Sequence, residues 1–125
     1  MIQIGKCIYT LLSGDTTVHG YVGLKIYPLV IPEAQTLPCI VYERHGDGEI
    51  TKDRMGIKNT IVEITILSED YTESINIAQA VEDRLSFYQG TVNGVNIVDI
   101  RLFNVNESFS ENAFIQKIDF IVKSM

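Results

Sequence analysis

Two hydrophobic periods meet near residue 68, and their meeting restricts the fold more than any other feature of the chain. Between Asn59 and Leu67, residues Val62, Ile64 and Ile66 fall on one side of an extended chain and Glu63 and Thr65 on the other. A period of two marks a strand with one buried face. From about 71 to 88 the period becomes helical. Ile77, Ala78, Val81, Leu85 and Tyr88 lie within one stripe, while Asn76, Gln79, Asp83 and Ser86 lie outside it. Ser68 or Asp70 supplies an N-cap, and Gly90 ends the helix.

The flanks extend this pattern. Ile4, Ile8, Leu11 and Leu12 recur at helical spacing, so residues 2–12 are predicted helical, with Ser13-Gly14 as the stop. Asp15 caps one further turn through Val18, closed by Gly20. Pro28, Pro32 and Pro38 forbid helix from Leu24 to Pro38 and keep that stretch extended. A strand is expected at about 38–44, where β-branched and aromatic residues cluster. From Arg44 to Lys58 the chain is rich in glycine and in both charges, as in a long hairpin tip or mobile arm. Asn93-Gly94 is a type I′ hairpin signal joining a stub at Thr91-Val92 to a strand over about 95–105. A last strand over 113–123 places Phe114, Ile118, Phe120 and Val122 on one face. The order implies one α+β domain over 1–125: a mostly antiparallel sheet with two main helices packed on one face.

Charge narrows the function. Ten Lys and Arg stand against 16 Asp and Glu, a net charge of −6, whereas a nucleic-acid reader neutralises phosphates with cations. The densest basic group, Lys52, Arg54 and Lys58, is interleaved with Asp47, Glu49 and Asp53 and reads as a solvated mixed-charge loop. Sequence-specific nucleic-acid binding is therefore not expected. The apolar run from Tyr21 to Pro32 is broken by Lys25 and Pro28, too short and too polar for a bilayer, so no membrane partner is expected either. The N-terminus carries no signal-peptide core, which implies folding in the cytosol. Cys7 and Cys39, with no CxxC, read as small buried hydrophobes.

A search for chemistry finds little. His19 and His45 have no neighbouring metal or triad pattern in sequence. A calcium loop counted from Asp47 would place Lys52 at its glycine and Lys58 at its glutamate. Gly46 and Gly48 lack the third glycine and the Lys-Ser/Thr pair of a phosphate loop. Glu69-Asp70 precede a helix, whose positive end favours acids. No catalytic, cofactor-binding or metal-ligating residue is assigned, no cofactor is expected, and the chain is read as a non-enzyme.

Residues Lys25-Ile-Tyr-Pro28, Pro32 and Leu37-Pro-Cys-Ile-Val-Tyr42, with the Leu-Leu-Ser-Gly-Asp15 that ends the first helix, resemble the phage tail-completion protein family. The resemblance spans nearly the whole chain. Lys25 stands where the family more often has Arg, and Cys39 where it more often has an aromatic residue. The same residues also serve as a turn and packing device, with Tyr27, Pro28 and Pro38 fixing the path into the sheet. The resemblance implies a structural phage or prophage protein that completes the head-proximal end of the tail. It implies a homo-oligomeric ring, commonly hexameric, seated on the tail-tube protein and presented to the head connector or neck protein, so that it mediates head–tail joining. The protein would then be cytoplasmic during assembly and a virion component afterwards. The competing readings are another neck or head-closure component and a small ligand-binding domain of cellular origin.

Ring contacts require apolar surface that the core does not use. Charged residues make up 21% of the chain, below the usual proportion of about a quarter. Phe87 and Ala80 fall off the buried stripe of the second main helix, and Ile115 and Ile121 fall on the second face of the last strand. With Asp47, Glu49 and Arg54 of the arm, Phe87, Ile115 and Ile121 are the expected interface residues.

Overall fold

The computed structural model of the chain describes residues 2–47 and 56–125. Three helices and six strands follow in the order α1 (Ile4–Ser13), α2 (Thr16–Val22), β1 (Ile26–Pro28), β2 (Cys39–Asp47), β3 (Lys58–Ser68), α3 (Tyr71–Leu85), β4 (Gly90–Val92), β5 (Val95–Ser110) and β6 (Ala113–Ser124). The strands form one sheet in the order β1-β2-β3-β6-β5-β4. Only the β1–β2 pair is parallel; the other four are antiparallel. The fold is α+β, as the periods require.

The alternation along β3 decides which face is buried. Thr60, Val62, Ile64, Ile66 and Ser68 are buried, and the residues between them are only half covered. β6 pairs with β3 in register, Val62 opposite Phe120 and Ile64 opposite Ile118, so its Ile118, Phe120 and Val122 join the same face. Onto the core they build come Ile4, Cys7, Ile8, Leu11 and Leu12 of α1, Val18 and Val22 of α2, and Ile77, Ala80, Val81 and Leu85 of α3.

Side chains set the helix ends. Asp15 accepts a hydrogen bond from the Val18 amide at 3.0 Å, so α2 starts where its cap was expected. It runs past Gly20 to Val22, because Val22 as well as Val18 reaches the core. A third helix thus stands where a single turn was expected. Asp70, not Ser68, caps α3, accepting from the Glu73 amide at 2.9 Å. The Ser68 hydroxyl instead accepts from the Asp70 amide and donates to the Glu73 carboxylate at 2.6 Å. α3 ends at Leu85, so Tyr88 and Phe87 lie beyond it and Gly90 opens β4. Ala80, expected off the stripe, is only 7% exposed and belongs to the core.

Two strands outrun their sequence signals. β2 continues through Arg44 to Asp47 with a register shift before Asp47, so part of the expected arm is strand. Residues 48–55 of that arm, with Glu49 and Arg54, lie outside the described residues. β5 continues to Ser110, because each residue of its polar second half finds a partner on β6. Asn93 and Gly94 both take positive φ, 49° and 79°, at the two turn positions where type I′ geometry requires it.

The far end of the β5–β6 hairpin is tied to the start of α3. The Tyr71 hydroxyl donates to Glu107, its carboxylate oxygens at 2.9 and 3.2 Å. Gln116 Nε2 donates to Glu107 at 3.1 Å and to the Ser74 hydroxyl at 3.3 Å. Phe114 packs edge-on against Tyr71 at 5.6 Å and against Phe109 at 4.9 Å.

Phe120, fully buried at the centre of the sheet, is expected to dominate stability: Phe120→Ala should cost about 3–5 kcal/mol, read from chemical denaturation. The hydrogen bond to Glu107, and to a lesser extent burial, raise the Tyr71 hydroxyl above its ordinary value. A raised acid contributes stability that is fully present below the unfolded value, near about 10, and is lost as pH rises through the folded value. Tyr71→Phe should therefore be less stable than wild type at neutral pH, the difference should shrink in alkali, and the hairpin amides should exchange faster in the variant.

Candidate functional site

With one face of the sheet committed to the core, the other is left to form a surface of cross-strand rows. Register defines them. Ile61 pairs with Ile121, and Ile121 with Arg101. Leu67 pairs with Ile115, and Ile115 with Ser108. Between these two rows run Glu43–Glu63–Asp119–Asn104 and Val41–Thr65–Lys117–Asn106. The surface is thus two partly apolar rows enclosing a charged band.

Phe87 belongs to the margin of this surface. It is 67% exposed and has φ 63°, a left-handed conformation that costs a side-chain-bearing residue roughly 1–2 kcal/mol. Its amide donates to the Ile100 carbonyl at 2.8 Å, which fastens the turn after α3 to the outer edge of β5. The Arg101 guanidinium lies over its ring at 5.0 Å and bonds Asp99 at 2.7 Å. Phe87 and Ile121, expected as interface residues from separate elements, are therefore linked through Arg101. Ile115 sits in the other apolar row, nearer the hairpin end. Asp47 ends β2.

The edge of β5 is a second feature. β4 covers it only from Val95 to Ile97. Beyond Ile97 no described strand pairs with β5 on that side, and Phe103, Val105 and Phe109 are exposed along it. The strand's polar second half concealed this edge from sequence reading. At the opposite margin, β1 is three residues long, and Leu29, Val30 and Ile31 follow it, also exposed. Lys25 and Tyr27 hold the intervening loop: Lys25 Nζ donates to the Thr36 carbonyl at 3.3 Å, and the Tyr27 hydroxyl to Gln35 at 2.7 Å. The Lys25–Pro28 and Leu37–Tyr42 segments are thus brought together as the parallel β1–β2 pair, with a cis Leu37–Pro38 peptide between them.

Chemistry-bearing residues are sparse. Cys7 and Cys39 are buried free thiols, and burial raises the pKa of each, leaving them protonated and unreactive. Cys7 donates to the Val92 carbonyl at 3.3 Å. His19 is exposed on α2. His45 departs from its expected isolation: Nε2 lies 3.1 Å from Glu63 and 3.5 Å from Glu43. Glu63 comes from the facing strand, so no spacing rule could have found it. The clefts are open and shallow. The cleft beside Phe87, about 530 Å³ and lined by Glu82, Asp83, Ser86, Arg101 and Leu102, holds no nucleophile paired with a base. Among the described residues no helix is long and apolar enough to cross a membrane.

A solved chain from the virion of a native gene transfer agent particle superposes with a TM-score of 0.77 at 16% identity, covering 95% of this chain and 90% of that one. At that identity the likeness concerns the fold. No curated protein matches the sequence. The family model of tail completion protein gp17 matches residues 6–112, a span that takes in most of α1, all of α2 and α3, and β1 to β5 with the open margin of β5. The chain belongs to the tail completion protein gp17 family and is a structural protein of the phage virion tail.

Proposed function

We infer that this protein closes the head-proximal end of the tail as a ring of identical subunits and there mediates head–tail joining. The observation that carries this reading is the uncovered edge of β5, with Phe103, Val105 and Phe109 exposed along it and Phe87 beside it. An edge of unpaired backbone groups with apolar side chains is a template for another chain. The opposite margin, with β1 and the exposed Leu29, Val30 and Ile31, differs in length and composition. Two unlike margins favour head-to-tail contact, which either closes into a ring or runs on as a filament. A cap on a tube needs closure, and a hexamer is the ring size that the family resemblance implies.

Each contact is proposed to be weak in solution, so the free protein is expected to be largely monomeric. Closure then occurs on the tail tube, where neighbours are held at high effective concentration. Ile115 and Ile121 on the open face, together with Asp47, Glu49 and Arg54, which fall between β2 and β3 in the sequence, are the proposed contacts with ring neighbours, tail tube and head connector. An acidic chain suits this position, since DNA must pass the ring without being gripped. Binding is the whole of the proposed work, and no catalytic step is assigned.

Electron microscopy of tails assembled with the protein should show a ring at the head-proximal end. Phe87→Glu or Ile121→Lys should abolish it while the monomer still folds, because neither side chain is part of the core. Phe87→Gly should fold at least as stably as wild type, by relief of the positive φ, and still weaken the ring. Tails of discrete length without the protein, or intact rings from both charged variants, would sink the proposal.

A further inference from the structure

We propose that Glu43, His45 and Glu63 form a site for a divalent transition-metal ion, with Zn²⁺ best suited to the donors, on the open face of the sheet. Each residue offers one ligand atom, and the three atoms lie within 4.8 Å of one another. His45 Nε2 is 3.1 Å from Glu63 Oε2 and 3.5 Å from Glu43 Oε1. A tetrahedral ion with bonds of roughly 2.0–2.2 Å separates neighbouring donors by roughly 3.3–3.6 Å. Two edges of the tetrahedron therefore need little adjustment. The third, between the carboxylates, closes by rotation of long side chains on a fixed backbone.

The backbone is fixed by pairing. Glu43 and Glu63 are direct cross-strand partners; His45 lies two residues further along β2, inside the register shift between Arg44 and Asp47, and its ring reaches both carboxylates. Asp119 pairs with Glu63 on the next strand, so three acids lie in one row across β2, β3 and β6. Like charges placed opposite one another oppose folding, and a cation relieves them. Lys117 stands two residues from Asp119 on β6, and Asn104 donates to Asp119 at 3.2 Å. For Glu43 and Glu63 the partner at hand is His45, whose Nε2 lies 3.5 Å from one and 3.1 Å from the other. Glu63 is only 18% exposed, so this carboxylate is partly withdrawn from water and is the anchor of the set.

The donor set selects the ion. One imidazole nitrogen and two carboxylates suit zinc and neighbouring transition metals. Calcium prefers six to eight oxygens, and magnesium an octahedron of oxygens and water. Three protein donors leave a fourth position for water. The ion would join β2 to β3 near the end of their hairpin.

Isothermal titration calorimetry with ZnCl₂ on the full chain tests this. One saturable site per chain is expected, with a thermal midpoint that rises as zinc fills it. His45→Gln and Glu63→Gln should each weaken binding by more than about tenfold, the scale on which even outer-shell changes act. A control carrying His19→Gln, Glu33→Gln and Glu69→Gln, exposed residues outside the cluster, should bind as wild type. Circular dichroism should show both ligand variants folded, since His45 and Glu63 lie outside the core. Absence of saturable binding would mean a plain histidine–carboxylate ion pair and would overturn the site. So would unchanged affinity in both ligand variants, or loss of binding in the control.

Discussion

The position of β6 is the constraint on which the rest of the structure depends. The last strand in sequence lies in the middle of the sheet, paired along its length with β3 on one side and β5 on the other. Phe120 and Ile118 thereby sit opposite Val62 and Ile64 in the floor against which the helices close. Without β6 the sheet would be two separate pieces, β1-β2-β3 and β5-β4. Such non-local pairing is slow to form, since the chain must close long loops before the contacts reward it. Once formed, it also sets the register of the uncovered face.

That uncovered face follows from the same alternation. A strand whose even positions are buried presents its odd positions elsewhere, and in β3 and β6 the odd set contains Ile61, Leu67, Ile115 and Ile121 beside Glu63, Lys117 and Asp119. A surface that only met water would not need four large aliphatic residues in two cross-strand rows, although single exposed hydrophobics are ordinary. The half-burial of these residues limits the free energy any one contributes. Ring contact by this reading is a sum of modest contacts, in keeping with a protein that assembles only where its neighbours are already gathered.

Much of this architecture was legible in the sequence because period is a local signal. The β3 alternation, the α3 stripe, the Asn93-Gly94 turn and the faces of β6 are each written within a dozen residues. What escaped depended on partners elsewhere. Asn106 to Ser110 is polar enough to fall outside the expected strand, and its strand state comes from β6. The α3 stripe appeared to continue through Tyr88, yet the helix stops at Leu85 because Phe87 turns to bond Ile100. Tyr88 still packs on the core from beyond the helix end, which is why it fell on the stripe. His45 and Glu63 are 18 residues apart, and their meeting depends on the register of the β2–β3 pair. The two apolar margins could not be read either, since exposure of Phe103 or Leu29 depends on which strands lack neighbours.

The free margin of β5 also raises the problem of uncontrolled pairing, since an open edge that recruits one neighbour can recruit any strand. Two features restrain it. Register shifts between Ile97 and Asp99 and between Leu102 and Asn104 break the strand into short runs, and bulges increase local twist and spoil a flat template. Glu107 lies along the outer half, where Tyr71 holds its carboxylate, and Phe87 blocks the Ile100 carbonyl with its own amide. A strand of arbitrary sequence would meet a bent edge, an acid and an occupied acceptor. A partner shaped to those three features would meet apolar contacts with Phe103, Val105 and Phe109 instead. The proposed ring requires selectivity of this kind, since its subunits would stay apart in solution and close only at the end of the tube, and the edge offers it through backbone irregularity as much as through side-chain chemistry.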